Sequence, residues 1–260
     1  MSKKKKMLLI IALVAVFSCG LTFIAQAAPD NIDIPKVNIT IDGKSQSSPT
    51  EYVGNIKLLI MLTMLTLLPS FIIMMTSFTR IAVVLSFLKG ALGVQQSIPN
   101  QILVGLALFL TIFIMHPVYT QINNNALKPY MEGTVSQENA TEEGSKPLRE
   151  FMLKQTRQKD LKLFLEAAGM DKDENITMDN VPLRVVVPSF VISELKTAFQ
   201  IGFLLYIPFM LIDLVVASIL LSMGMMMLPP VMISLPFKLL LFVMVDGWYL
   251  LVKSMILSFM

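Results

Sequence analysis

The sequence predicts an all-α membrane protein made of helical hairpins with kinked apolar helices and one small polar region. Of its 260 residues, 55% are hydrophobic and only 15% are Asp, Glu, Lys or Arg, well below the roughly 25% charged residues usual in soluble domains. The apolar residues form uncharged runs that are long enough to cross a bilayer. Prolines interrupt these runs and predict kinks within them.

Charge and cysteine content exclude several functional classes. Four lysines at positions 3–6 contribute +4 to the net charge of +3, and the remaining chain has no basic patch of the kind that binds nucleic acid. The single cysteine, Cys19, lies in the same N-terminal segment. A disulfide framework and a paired-cysteine metal site are therefore excluded, and we predict no cofactor and no metal.

Residues 1–27 have the pattern of a cleaved secretory signal peptide. The lysine cluster precedes a mostly apolar stretch at 7–24, and the small residues of Ala25-Gln26-Ala27 follow it. We predict cleavage between Ala27 and Ala28, which places the mature N terminus outside the cytoplasmic membrane. An uncleaved signal anchor is the alternative, because the apolar stretch is long for a signal peptide.

Residues 28–54 are predicted to form a flexible polar lead, and residues 55–119 a first apolar helical pair. Pro69 and Pro117 are the expected kink sites in that pair. Arg80 and Lys89 lie between its two apolar runs without a nearby acidic residue. Because short cytoplasmic loops are enriched in Lys and Arg, this connection is predicted to face the cytoplasm.

Residues 120–186 form a polar region that is predicted to be extracytoplasmic. Apolar residues recur at helical spacing over 147–168 and predict an amphipathic helix there. Its apolar face either binds a partner subunit or packs on its own domain. Asp171, Asp173 and Asn175 resemble the start of a calcium loop, but the turn glycine and the final glutamate are missing, so we predict no calcium site.

Residues 187–260 are predicted to form a second apolar helical pair, with a Met-rich turn at 223–230. Consecutive prolines end that turn, and it carries no charge. A loop without charge is expected to contact protein, lipid or the wall of a pore rather than bulk water. The pair also contains six charged residues in apolar surroundings, where charges need partners. These residues are Glu194, Lys196, Asp213, Lys238, Asp246 and Lys253.

Two interpretations of these six charges are open. They form ion pairs between subunits that loosen when a channel opens, or static pairs that fix the geometry of an assembly. An enzymatic alternative uses Asp213 and Asp246 as the catalytic pair of an intramembrane aspartyl protease. Such proteases carry a Gly-x-Gly-Asp motif, however, and Val243-Met244-Val245 precedes Asp246 here. We therefore predict that the protein is not an enzyme.

Several motifs occur in order along the chain: TSFTRI at 76–81, PLREFM at 147–152, VPSFVISELKTAFQIGF at 187–203, PFMLIDLV at 208–215 and DGW at 246–248. Together they resemble the FliP/SctR family over residues 55–260. The resemblance implies a P-type core subunit of the flagellar or type III protein-export gate, in the bacterial cytoplasmic membrane. The signal peptide and the long polar region favour the flagellar branch over the injectisome branch.

The resemblance also implies partners and a mechanism. A pentameric ring of P-type chains joins R-type and Q-type subunits, and their helical hairpins form a closed channel for unfolded protein substrates. Met225, Met226 and Met227 would then form a gasket on the channel axis. From the sequence alone, filling of a hydrophobic core is the alternative role for a methionine cluster.

Overall fold

The computed structural model describes residues 49–94, 97–170, 180–225 and 227–260. The predicted signal peptide with its Ala27–Ala28 cleavage site, most of the polar lead, the acidic loop at 171–179 and Met226 lie outside these residues. All regular structure in the described ranges is helical and no strand occurs there, which confirms the predicted all-α membrane fold.

The described helices are α1 (Pro49–Met74), α2 (Phe78–Leu92), α3 (Asn100–Ile122), α4 (Lys128–Met131), α5 (Gln137–Gln155), α6 (Gln158–Ala167), α7 (Leu183–Ser222), α8 (Pro230–Met244) and α9 (Gly247–Leu257). A π-helical turn, Asn123–Leu127, joins α3 to α4. The chain divides into two compact units, Met1–Thr66 and Leu67–Met260. All packing described below lies within the second unit.

Three helical segments in the described ranges are long and apolar enough to cross a membrane: Ile56–Met74, Asn100–Met131 and Leu183–Ser222. The pair Pro230–Met244 and Gly247–Leu257 adds a fourth if it counts as one span, with a bend of 62° between its two helices. These segments support a multi-pass membrane protein.

The bend between α8 and α9 does not lie at a proline, although prolines were the predicted sites of interruption. Pro69, Pro117, Pro208 and Pro236 all lie inside continuous helices. The chain instead turns at Asp246, whose φ is 51°. Asp is one of the few residues besides glycine that adopt this left-handed conformation at low cost.

Helix α2 lies in the core and runs parallel to α7. Arg80 of α2 contacts Glu194 of α7, the Phe87 ring packs against Gly202, and Gly90 lies beside Tyr206. The sequence separation is nearly the same in each pair, 114 residues in the first, so the two helices point in the same direction. The α2 residues Ile81, Val84, Leu85, Leu88, Ala91 and Leu92 are buried.

The structure corrects the prediction that Arg80 and Lys89 share a cytoplasmic connection. Arg80 lies near the start of α2, where it is buried and hydrogen-bonded to Gln155 of the polar region. Lys89 lies near the other end of α2, where its ammonium donates to Asn100. Arg80 therefore no longer supports a cytoplasmic location for this part of the chain. The orientation of the chain in the membrane stays a prediction.

The stretch predicted as one amphipathic helix at 147–168 forms parts of two helices. Helix α5 begins earlier, where the Ser136 hydroxyl accepts a hydrogen bond from the Asn139 amide. This start escaped prediction because the first half of α5 is polar and has no apolar periodicity. The helix ends at Gln155, and the amide of Arg157 donates to the Ser193 hydroxyl of α7 instead.

The apolar faces of α5 and α6 pack within the chain. Met152 and Leu161 are buried together with Val185, Val186 and Phe190 of α7. Of the two roles left open for this amphipathic face, packing on the chain's own α7 is the one that the structure shows.

Candidate functional site

The Met-rich turn forms the exposed tip of a hairpin between α7 and α8. Helix α7 ends in a Schellman motif, in which the amides of Gly224 and Met225 donate to the carbonyls of Leu221 and Leu220. Gly224 has a φ of 77°, which glycine adopts without strain. The tip side chains are exposed: Met223 by 62%, Met225 by 42% and Met227 by 97%.

An ion pair joins the two limbs of this hairpin. The Lys238 ammonium of α8 lies 2.6 Å from an Asp213 carboxylate oxygen of α7, and the Ser234 hydroxyl donates to the other oxygen. The lysine side chain is 4% exposed and the aspartate 32%. Lys238 also donates to the carbonyl of Ala91 over 3.2 Å. A cation near the C-terminal end of a helix is electrostatically favourable, so the pair also attaches the hairpin to α2.

A second ion pair lies at the opposite end of α2. Arg80 donates from Nε and Nη2 to the two carboxylate oxygens of Glu194. Its remaining N–H groups donate to the Gln155 side chain and to the carbonyl and hydroxyl of Ser258. The guanidinium carbon lies 3.9 Å from the centre of the Phe259 ring. All five N–H donors of the arginine are therefore accounted for in a buried site.

A third polar cluster links α6 to α7 beside this pair. The Asp160 carboxylate accepts hydrogen bonds from Arg157 and Ser193, over 2.5 and 2.6 Å. Burial raises the pKa of Asp160, but the two hydrogen bonds and the positive charge of Arg157 lower it more, so its pKa lies below the usual value. Lys196 contributes in the same direction through its charge.

The six predicted charges do not meet at one place. Asp213 pairs with Lys238, whereas Glu194 pairs with Arg80. Lys196, Asp246 and Lys253 are exposed, and no ion pair involves them in the ranges that the structure describes.

Sequence reasoning missed several partners of these charges. Ser234 had a detectable signal, because it lies four residues before Lys238 and therefore on the same face of α8. Gln155 and Ser258, the further partners of Arg80, had none, since each reaches it across a long stretch of chain. No group of three or more His, Cys, Asp or Glu residues suited to a metal occurs among the described residues.

Comparisons with known proteins match most of the chain. The profile of the FliP family matches residues 61–255. A flagellar biosynthetic protein FliP from Bacillus subtilis is 57% identical over 215 residues, which cover 83% of this chain and 96% of that relative. The protein of the same name from Pectobacterium carotovorum is 54% identical over 79% of each chain. The one from Aquifex aeolicus is 53% identical over 80% of this chain and 87% of its own length.

Proposed function

This chain belongs to the FliP family, and from that membership we propose that it is a core channel subunit of the flagellar protein-export gate. The family match and the named relatives support a component of the flagellar export apparatus in the cytoplasmic membrane. Those relatives are flagellar proteins, which favours flagellar export over an injectisome. The family is one of structural export components rather than of enzymes.

The exposed, uncharged tip of the α7–α8 hairpin is the observation that carries the proposal. No charged residue lies between Asp213 and Lys238, so the tip offers no site that attracts ions. Methionine side chains are unbranched and flexible, and they pack against many shapes. When the tips of several copies meet on one axis, Met225, Met226 and Met227 form a seal that excludes ions and yields to an unfolded polypeptide.

The hairpin is suited to such a seal because its limbs are fixed below the tip. Asp213 lies about two and a half turns before the end of α7, and Lys238 about two turns after the start of α8. Their ion pair and the Lys238 bond to Ala91 hold both limbs against α2. Movement is then confined to the methionine tip when a substrate passes.

The length of α7 supports an assembly that extends beyond the bilayer. Its 40 residues correspond to about 60 Å of helix, twice the roughly 30 Å thickness of the hydrocarbon core. The excess length is covered by other subunits in a ring of these chains. We propose the partners that the family resemblance implies, a pentamer of this chain with R-type and Q-type subunits.

The protease alternative is not favoured by the placement of its two acids. Asp213 is bound to Lys238 and Ser234. Asp246 lies eight residues after Lys238, beyond the end of α8 at Met244, and six of those residues already span about 9 Å of helix. Two carboxylates that share a proton must be adjacent, and these are not.

Replacement of the tip methionines tests the proposal. Met225, Met226 and Met227 are changed together to Ala in the chain expressed with its partner subunits, and complex yield and membrane ion leak are measured. The seal predicts near-normal yield with a raised leak. The matched control is Met115→Ala with Met152→Ala, because these methionines are fully buried and each change is expected to cost about 2–5 kcal/mol of stability without a leak. Normal yield without added leak contradicts the seal, and a collapse in yield identifies the tip as structural core.

A further inference from the structure

The methionine side chains of this protein differ widely in their access to solvent. Met115 and Met152 are fully buried. Met227, at the tip of the α7–α8 hairpin, is 97% exposed, which is the largest exposure of any methionine in the described ranges. Its neighbours Met223 and Met225 are also exposed. The tip therefore presents several thioether sulfurs to small molecules in the surrounding water.

The backbone of the tip keeps these sulfurs clear of the two helices. Helix α7 ends at Ser222 and α8 begins at Pro230, so the methionines lie in the connection, where helix packing does not cover them. A Cβ added at Gly224 would meet nothing within 4 Å, which shows open space beside the tip. A small solute reaches the sulfurs without any movement of the helices.

Thioether sulfurs in such a position react with hydroperoxides. A lone pair of the sulfur attacks one peroxide oxygen, the O–O bond breaks, and a sulfoxide forms while the other oxygen leaves as water or an alcohol. The sulfur loses an electron pair and the peroxide gains it. The product is a polar side chain in place of a flexible apolar one, and methionine sulfoxide reductases reverse the change.

A sulfoxide at the tip conflicts with an apolar seal. Its oxygen accepts hydrogen bonds from water, so oxidised side chains that meet on a channel axis attract the water that reduced side chains exclude. The segment between Asp213 and Lys238 carries no charge. The polarity of the tip therefore depends mainly on the oxidation state of its methionines.

We propose that the tip methionines, Met227 foremost, are a site of reversible oxidation by hydroperoxides, and that sulfoxide formation there opens the seal to ions. The second half of this statement rests on the proposed function, since only a channel seal can leak. The first half, preferential oxidation at the tip, rests on the exposure of the sulfurs. The proposal adds a modification site and a regulation of the closed channel.

The first test maps oxidation in the assembled complex during brief treatment with hydrogen peroxide. Peptide mass spectrometry gives the sulfoxide fraction at each methionine over time. We expect Met227 to oxidise about tenfold faster than the buried Met115 and Met152, because peroxide meets its sulfur directly. Met131, which is 83% exposed in the polar region, is the positive control. Oxidation of Met131 while Met227 stays reduced overturns the proposal.

The second test measures ion leak through membrane vesicles that contain the complex, before and after the same treatment. We expect a severalfold rise for the unaltered chain. The matched variant changes Met225, Met226 and Met227 to Leu, which conserves apolar volume but removes the oxidisable sulfurs, and its leak should not respond to peroxide. An equal rise in both chains overturns the proposal, as does an oxidised tip without any rise.

The specificity control is Met131→Leu, which removes an exposed sulfur outside the tip. Peroxide should raise the leak of this variant as much as that of the unaltered chain, and a loss of the response would overturn the assignment to the tip.

Enzymatic reversal needs no variant, so it decides the matter even where the Leu variant assembles poorly. A methionine sulfoxide reductase with a dithiol reductant, added to the oxidised vesicles, should lower the leak to its starting level. A leak that persists after mass spectrometry shows reduced methionines overturns the proposal. Failure of the seal itself is distinguishable, because the triple Ala variant then gives no leak although Met227 still oxidises first. A leaking Ala variant beside an oxidised chain that stays tight refutes only the role of oxidation.

Discussion

Ion pairs lie at both ends of α2, and the two pairs are bound by their surroundings in different ways. At its start, Arg80 is buried and uses every donor on partners from α5, α7 and the segment after α9. Near its other end, Lys238 reaches one carboxylate, which is about one third exposed, and one backbone carbonyl. The first site joins four parts of the chain, whereas the second joins only a hairpin to α2. We call the first site, formed by Arg80, Glu194, Gln155 and Ser258, the fixed base, whereas the second site lies below the exposed tip of the α7–α8 hairpin.

The largest effect is expected at the fixed base. Glu194→Gln removes the negative charge that compensates the buried Arg80, and loss of one partner of a buried pair costs about 3–5 kcal/mol. We expect strongly reduced yield and a lower melting temperature of the chain in detergent. Glu166→Gln on the exposed face of α6 is the control and should change stability little. Wild-type stability of Glu194→Gln would show that the base is not fixed by this pair.

A smaller effect is expected at the hairpin. Asp213→Ala leaves the buried Lys238 with only the Ala91 carbonyl, but the aspartate is partly exposed, so we expect a loss of about 2 kcal/mol. The chain should still insert, and its recovery in the complex should fall because the hairpin limbs separate. Ser234→Ala removes one hydrogen bond to the same carboxylate and should cost about 1 kcal/mol. Equal losses at both ends of α2 would contradict the contrast between base and hairpin.

Gly202 lies between the two ends and tests whether they are rigidly joined. A Cβ at this position would overlap the Phe87 ring, and overpacking of a core costs about 1–3 kcal/mol. Gly202→Ala should therefore lower the melting temperature of the chain. The control is Gly105→Ala, because nothing lies within 4 Å of a Cβ there and Ala favours a helix over Gly by about 1 kcal/mol. A neutral Gly202→Ala would mean that α2 and α7 move apart easily.

The sequence predicts what depends on local composition and misses what depends on distant contacts. Uncharged runs identified the membrane segments, and Glu194 and Asp213 stood out because charges are rare in such runs. Their pairing was not predictable, because Arg80 and Glu194 are 114 residues apart. The Met-rich turn followed from its consecutive prolines, but its exposure depends on how α7 and α8 pack.

The bend at Asp246 shows a different limit of sequence reasoning. Proline is a recognisable sign of interruption, yet long helices run through Pro117, Pro208 and Pro236. The chain turns where Asp246 adopts a positive φ and where Gly247 leaves room for the ring of Phe242. A Val-Asp-Gly sequence is too common to indicate a bend, so tertiary packing decides its position.

A pH-dependent effect is expected at the attachment of α6 to α7. The hydrogen bonds from Ser193 and Arg157 hold the pKa of Asp160 below its usual value, despite the opposing effect of burial. A carboxylate with a depressed pKa contributes stability above its unfolded-state pKa of about 3.9, and this contribution is lost as the pH falls through the lower folded-state value. Cleavage by an acid-stable protease between α6 and α7 should therefore increase as the pH falls below about 4.

The Asp160→Asn variant supplies the comparison for this pH dependence. It keeps the shape of the side chain but cannot titrate, so its cleavage should be faster at neutral pH and should vary less with pH over the acidic range. The expected loss at neutral pH is about 1–2 kcal/mol, because the amide weakens the bond to Arg157. Glu150→Gln, a change on α5, controls for protonation elsewhere and should follow the unaltered chain. Parallel acid profiles for Asp160→Asn and the unaltered chain would show that Asp160 does not control the attachment of α6, and that the fixed base depends on Arg80 and Glu194 alone.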